Sequence, residues 1–190
     1  MTFFDWIEIC TVVTGILAVW LNAKQNILGW PVALVSIALA AVVYWHSRLF
    51  GEFALQGFFA TSSIYGWLNW KKLHQGIGNS QPKPVTSASF TSMLVWIFSG
   101  LAGTVFCYML LSRFTNGDLL WLDSGITAFS LVGQLMLARK VIQNWLVWIA
   151  VDIVSAGVYY YKGLYFMSAE FLIFCALAWW GYRQWKTASA

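Results

Sequence analysis

The strongest constraint on this chain is a series of long apolar runs that hold almost no charge. There are seven of them, at 6–23, 27–45, 53–70, 90–112, 122–139, 143–161 and 164–182. The second, third and fourth contain no charged residue, and the others carry a polar intrusion or are slightly short. A helix that rises about 1.5 Å per residue needs roughly 20 residues to cross about 30 Å of hydrocarbon. The sequence therefore predicts an all-α membrane protein with seven transmembrane helices.

Composition excludes a water-soluble domain. Only 9% of the residues are charged and 60% are hydrophobic, whereas a soluble domain has about 25% charged residues. The net charge of +4 does not indicate a nucleic-acid partner, because the basic residues lie in short loops between apolar runs. The lipid bilayer is the expected surrounding of this chain.

The basic residues alternate between the two sides of the predicted bundle. With the N-terminus outside, the inner segments hold eight of them: Lys24, Lys71, Lys72, Lys83, Arg139, Lys140, Arg183 and Lys186. The outer loops hold three, namely Arg48, Arg113 and Lys162. Cytoplasmic loops of membrane proteins are enriched in Lys and Arg. The chain is therefore predicted to be a multi-pass membrane protein, N-out and C-in.

The chain also matches itself. At an offset of 118, Gln25-Asn26 pairs with Gln143-Asn144 and Trp30 with Trp148, which places Leu34 opposite Asp152. After a three-residue gap, an offset of 115 pairs Tyr65-Gly66-Trp67 with Trp180-Gly181-Tyr182. Helices 1–3 thus match helices 5–7, and the intervening helix lets both copies run parallel.

We predict a 3+1+3 repeat with a substrate site near the midplane where the two halves meet. Residues 1–72 form the first three-helix repeat and residues 121–190 the second. Residues 73–120 contain the inverting fourth helix and most of a flexible linker, which is expected over 71–89 because of its Gly, Asn and Pro content.

The sixth run contains the motif that carries chemistry. Trp145, Trp148 and Asp152 are spaced by three and four residues, which puts them on one face of a helix. A carboxylate in hydrocarbon costs about 2.5–3.5 kcal/mol on the translocon scale, and no Lys or Arg lies in the same stretch. The motif predicts a flat cationic ligand held by cation–π contacts and the carboxylate. Ser155 and Tyr159 continue the face as candidate hydrogen-bond donors.

The same motif also fits structural roles. Trp145 and Trp148 are both compatible with an aromatic belt at the membrane interface. Asp152 is compatible with a protonated carboxyl that hydrogen-bonds a neighbouring helix. Intramembrane acids are functional by default, and we therefore expect Asp152 to contact the ligand.

Other helices contribute further candidates. Gln56 in the third helix and Gln134 in the fifth are either contacts between helices or partners of the ligand. Trp30 joins them as the repeat counterpart of Trp148. A second acid in the membrane, Glu170, is expected to reach the outer surface or to pair with Lys162.

The helix 6 motif resembles the Pnu family of bacterial vitamin transporters. The residues that carry the resemblance are Trp145, Trp148 and Asp152, together with Asn26-x-x-x-Trp30-Pro31 and Tyr65-Gly66-Trp67. The likeness covers nearly the whole chain. It implies a fold similar to the full-length SWEET sugar transporters, a location in a bacterial inner membrane, alternating access without a coupling ion, and assembly as a homotrimer.

The resemblance also implies the substrate. Nicotinamide riboside, imported for NAD synthesis, is the first expectation because its pyridinium is a flat cation. Thiamine is the second expectation and riboflavin the third. No cofactor or metal is expected, since the sequence has no metal-ligand spacing.

Other function classes fit less well. Hydrolysis needs paired carboxylates or a Ser/His/Asp set, and both histidines, His46 and His74, lie at loop positions remote from Asp152. A channel needs rings of polar residues along several helices, and the fourth helix has few. A sensor needs an output domain. A membrane uniporter, not an enzyme, is the leading hypothesis.

Overall fold

The computed structural model describes residues 3–46, 48, 50–74, 85–114 and 119–188. These residues form seven helices: α1 Phe3–Ala23, α2 Gly29–His46, α3 Phe50–His74, α4 Phe90–Leu111, α5 Leu120–Ala138, α6 Asn144–Tyr161 and α7 Tyr165–Ala188. Each predicted apolar run overlaps one of these helices. Four of them, α1, α2, α4 and α5, are long and apolar enough to cross a membrane by length and composition. The all-helical prediction is confirmed for the part of the chain described.

The helices divide into two compact units, α1–α3 and α4–α7. Within each unit, helices that follow one another in sequence pack together. In the second unit α4 packs on α5 through small residues, because a Cβ on Gly100 would lie 2.6 Å from the Phe129 ring and one on Gly103 would lie 3.2 Å from Ala128. Small residues let membrane helices approach closely where no hydrophobic driving force exists between them.

In the first unit, α1 ends in a Schellman motif. Gln25 has a φ of 56°, and its N–H donates to the carbonyl of Asn22 at 2.9 Å, while the N–H of Asn26 donates to Leu21 at 2.9 Å. This pattern, with a left-handed residue two positions after the last helical residue, satisfies two carbonyls of the last turn. It reverses the chain into α2.

In the second unit, α5 ends in the same motif. Lys140 has a φ of 57°, its N–H donates to Leu137 at 3.0 Å, and the N–H of Val141 donates to Met136 at 3.0 Å. Each of these residues follows its counterpart in the first unit by 115 positions. Lys140 is only 2% exposed, and burial lowers the pKa of its ammonium group.

In each unit, a pair of tryptophans packs together next to this turn. Trp30 of α2 meets Trp70 of α3 edge to face, with centroids 5.4 Å apart and an interplanar angle of 87°. Trp145 of α6 meets Trp185 of α7 in the same way, at 5.4 Å and 89°. A glycine lies under the first ring of each pair, since a Cβ on Gly66 would collide with the Trp30 indole and one on Gly181 would lie 2.8 Å from the Trp145 indole.

These contacts correct the alignment of the chain with itself. The turn residues and the tryptophan pairs correspond at an offset of 115, so that Trp30 matches Trp145 and not Trp148. In this register Ile37, not Leu34, stands at the position of Asp152. The offset of 118 was wrong because it matched two Gln-Asn pairs by identity, whereas the left-handed turn residue sets the register.

A short extended segment before α4 distinguishes the second unit. Thr86 forms an isolated parallel bridge with Val141, and the side chain of Gln143 accepts from Ala88 N–H at 2.9 Å and donates to Ser87 Oγ at 2.8 Å. Residues 85–89, called the strap below, are thus fastened to the α5–α6 turn.

The structure differs from the predicted flexible linker at both of its ends. Residues 71–74 continue α3 and residues 85–89 are held by hydrogen bonds, so neither end of the predicted segment is a flexible linker. Residues 75–84 of the predicted linker lie outside the described residues.

The predicted pairing of Lys162 with Glu170 is wrong as well, since Lys162 Nζ lies 3.6 Å from Asp123 Oδ2.

Candidate functional site

The predicted site residues of α6 lie on one face of the helix. They are Trp145, Trp148, Asp152, Ser155 and Tyr159. Their spacing alternates between three and four residues, which keeps them in line over about four turns. Three of them, Trp145, Asp152 and Ser155, are buried, and the other two are half-buried.

The opposite side of α6 is apolar and exposed. Leu146, Ile153 and Tyr160 are exposed large side chains there. A charged group is therefore kept on the protected side of the helix while hydrophobic groups face outward. This division is typical of a membrane helix that carries a functional acid toward the protein interior.

Helices α5 and α7 flank the polar face of α6. On one side, a Cβ built on Gly133 of α5 would lie 3.2 Å from the Trp148 indole. On the other side, the Tyr159 ring stacks on Phe171 of α7 with centroids 5.3 Å apart and an interplanar angle of 13°. The face that bears Asp152 therefore looks into the angle between α5 and α7.

Asp152 is the one charged residue among the five predicted site residues of α6. It is only 4% exposed. Among the residues that the structure describes, no Lys or Arg forms an ion pair with Asp152. The ion pair that these residues do contain joins Lys162 to Asp123 at the surface. A buried acid without a cation is an expensive feature. The arrangement suits a ligand that brings the positive charge.

Trp145 and Trp148 have different surroundings. Trp145 is 2% exposed and is packed against Trp185 and Gly181, so its role as part of an interfacial belt is ruled out by burial inside the second unit. Trp148 lies one turn further along, is half-buried, and touches α5 near Gly133. The ring of Trp148 is the more accessible of the two indoles.

Two buried polar atoms on this face lack a partner. Ser155 is 0% exposed, and neither its Oγ nor the Nε1 of Trp145 has a hydrogen-bond partner in the described ranges. Buried polar atoms are nearly always hydrogen-bonded in proteins. Ser168, by contrast, is satisfied, because its hydroxyl donates to the carbonyl of Ala156 at 2.8 Å and ties the start of α7 to α6.

Gln134 is a buried residue of α5. Gly133 touches α6 while Ala128 and Phe129 touch α4, so helical geometry puts Gln134 on the side of α5 away from α4. Ser130, also buried, lies one turn earlier on the same side. We did not predict Ser130 from the sequence, although its spacing of four from Gln134 was a usable signal.

The other two predicted site residues belong to the first unit. Trp30 is fully buried against Trp70 and above Gly66, and Gln56 is half-buried on α3. Within its own unit Trp30 is a packing residue and the counterpart of Trp145. A metal centre has no support in the described ranges, where no three His, Cys, Asp or Glu side chains cluster.

Comparison with known proteins identifies the family and several relatives of this chain. A sequence model described as nicotinamide mononucleotide transporter matches residues 5–187. The chain is 24% identical over 209 residues to the nicotinamide riboside transporter PnuC of Escherichia coli, with 95% of this chain and 85% of that protein covered. It is 24% identical over 182 residues to the riboflavin/roseoflavin transporter RibM of Streptomyces davaonensis, with 95% and 84% covered.

The fold has a counterpart among solved structures. The crystal structure of the vitamin B3 transporter PnuC matches with a TM-score of 0.79 and 21% identity, and the match covers 97% of this chain and 82% of that one. The helical architecture is therefore that of a known membrane transporter. Since the family match spans nearly the whole sequence, the protein is a multi-pass membrane transporter and not an enzyme, and the chain belongs to the nicotinamide mononucleotide transporter family.

Proposed function

We propose that the protein imports nicotinamide riboside across a bacterial inner membrane. The observation that carries this proposal is the buried Asp152 carboxyl, which has no cationic partner in the described residues and shares a helix face with Trp148. Nicotinamide riboside has a flat, permanently charged pyridinium that supplies the missing cation. The relative from Escherichia coli is named a nicotinamide riboside transporter, which supports the same substrate.

Each residue of the face has a distinct role in the proposal. The Trp148 indole contacts the pyridinium ring, a contact worth up to about 2 kcal/mol when desolvated, and Asp152 neutralises its charge. Ser155 and Tyr159 bind ribose hydroxyls, and Gln134 binds the carboxamide. Trp145 holds α6 against α7 and offers its indole N–H to the ligand. Gln56 and Trp30 are proposed as contributions from the first unit.

Riboflavin is the second candidate substrate. The relative from Streptomyces davaonensis is named a riboflavin/roseoflavin transporter, and it matches as large a share of this chain as the first relative. Riboflavin is neutral, however, and would leave the Asp152 carboxyl without a counter-charge. Thiamine carries a thiazolium cation and fits the carboxyl, so all three vitamins belong in the same test.

We propose a 3+1+3 arrangement for the transporter, N-out and C-in. The support for a repeat is the recurrence of the Schellman turn, the tryptophan pair and the glycine beneath it at an offset of 115. The support for the orientation is the excess of Lys and Arg on the side that carries the α1–α2 and α5–α6 turns. Assembly as a homotrimer follows from the family resemblance and is tested by sedimentation of the purified protein.

Uptake of radiolabelled nicotinamide riboside into proteoliposomes tests the function. We expect saturable uptake that needs no proton or sodium gradient, as facilitated diffusion requires. Excess unlabelled nicotinamide riboside should suppress it strongly, thiamine less, and riboflavin least. Stronger competition by riboflavin would make riboflavin the substrate.

A pair of tryptophan variants makes the test specific to the site. Trp148→Ala should raise the concentration for half-maximal uptake by about tenfold or more, since a cation–π contact is lost. Trp179→Ala removes an exposed indole of α7 and should leave uptake unchanged. Equal behaviour of the two variants would remove Trp148 from the site.

A further inference from the structure

An apolar groove runs along the second unit on a different face of α6 from the site. It has a volume of about 410 Å³ and lies among α4, α5 and α6. Its lining includes Met93 of α4, Phe129 of α5 and Val147 and Val154 of α6. Nearly all lining groups are hydrocarbon, and only Gln143 at one end carries a polar side chain, whose amide is already bonded to the strap.

The groove has the length of one membrane leaflet. It extends along α6 from Gln143 to Val154, which is about 16 Å at 1.5 Å per residue. Half of a hydrocarbon core about 30 Å thick is about 15 Å. Trp121 lies at the far end, where its ring stacks on Tyr108 with centroids 3.8 Å apart. The groove is open along its side, because Leu146 and Val154 are exposed.

A cation is fixed at the Gln143 end. The Arg139 guanidinium lies over the Trp96 ring with its Cζ 5.3 Å from the ring centroid. Trp96 follows Met93 by three residues on α4, so both side chains lie on neighbouring parts of one helix face. Arg139 is exposed, and no carboxylate pairs with it in the portion of the chain that the structure describes. Its free N–H donors match the oxygens of a phosphate.

We propose that this groove binds one anionic phospholipid, with an acyl chain against α5 and α6 and the phosphate at Arg139. The observations that carry the proposal are the match of groove length to a leaflet and the position of an arginine, pre-oriented by Trp96, at the end where the headgroup lies. Basic groups at membrane helix ends attract anionic headgroups by about 1 kcal/mol each. The ligand is thus amphiphilic and negatively charged.

Native mass spectrometry of the purified transporter tests this site. The protein is delipidated in detergent and titrated with phosphatidylglycerol or phosphatidylcholine. The wild type should bind one phosphatidylglycerol per chain, about fivefold more tightly than phosphatidylcholine. Arg139→Gln should abolish this preference. Arg183→Gln, which removes an exposed arginine of α7, should preserve it.

A second pair of variants tests the groove. Ala150→Phe adds bulk to a lining residue and should prevent lipid retention, whereas Ile153→Phe adds bulk to an exposed residue outside the lining and should not. Retention that is equal in all four variants would overturn the proposal. If the wild type binds no lipid and Ala150→Phe changes the oligomeric state, a second copy of the chain covers the groove. If inorganic phosphate displaces the lipid, the site binds simple anions. Either result would overturn the lipid proposal.

Discussion

Two groups of three helices, α1–α3 and α5–α7, share their packing but differ in their polar residues. Both have a left-handed turn residue, an edge-to-face tryptophan pair and a glycine under the first indole. At the offset of 115, however, Asp152 stands where the first unit has Ile37, Ser155 where it has Ala40, and Trp148 where it has Ala33. The comparison teaches that the shared residues build the helix packing, while the residues that differ define the candidate site.

The largest expected effect is at Asp152. Asp152→Ala should weaken nicotinamide riboside uptake by about 10- to 100-fold in apparent affinity, because a charge-assisted contact is worth about 1.5–3 kcal/mol. The counterpart Ile37→Ala should change apparent affinity little. Uptake in proteoliposomes at several substrate concentrations measures both. If Ile37→Ala were as harmful as Asp152→Ala, the two units would not differ in the way described.

The shared packing should respond equally in the two units. Gly181→Val and Gly66→Val each force a side chain into an indole and should each destabilise the protein by about 1–3 kcal/mol, the usual cost of overpacking. Gly157→Ala is the control, since a Cβ there meets nothing within 4 Å. Thermal unfolding in detergent is the measurement. If Gly181→Val destabilised the protein and Gly66→Val did not, the packing of the two units would not be equivalent.

How much was predictable from the sequence depends on the kind of interaction. The number of helices follows from uncharged runs, because hydrocarbon tolerates few charges, and the shared face of Trp145, Trp148 and Asp152 follows from helical spacing alone. The packing role of Trp145 was not predictable, since it depends on Trp185, forty residues later in the chain. The strap was missed because it directly follows the Gly, Asn and Pro of residues 76–84, which predict turns, and its own sequence carries no information about its partners.

The strap offers a smaller test. Position 143 holds glutamine where the first unit has Leu28, and Gln143→Leu therefore removes the hydrogen bonds to Ser87 and Ala88. At about 0.5–1.5 kcal/mol per hydrogen bond, the loss of two bonds should total about 1–3 kcal/mol. Proteolysis at the strap should accelerate in this variant. Gln184→Leu, at an exposed position of α7, should behave as the wild type.

The smallest expected effect concerns the turns after α2 and α6. Gly163 has a φ of 75° and its counterpart Arg48 a φ of 57°, a region in which a residue with a Cβ costs about 1–2 kcal/mol. Gly163→Ala should lower the free energy of unfolding by about 1 kcal/mol, and Arg48→Gly should raise it by a similar or smaller amount. Thermal unfolding measures both changes in the free energy of unfolding. Changes of opposite sign would support equivalent turns, whereas changes of the same sign would count against them.

The central claim is that the Asp152 carboxyl recognises a positive charge, and calorimetry with two forms of one ligand tests it most directly. Nicotinamide riboside carries the pyridinium cation, whereas its reduced form has the same shape without the charge. We predict one site per chain and binding of the charged form at least about tenfold tighter, equivalent to about 1.4 kcal/mol, with this preference lost in Asp152→Ala. Equal affinity of the wild type for the two forms, or a preference that survives in Asp152→Ala, would contradict the account.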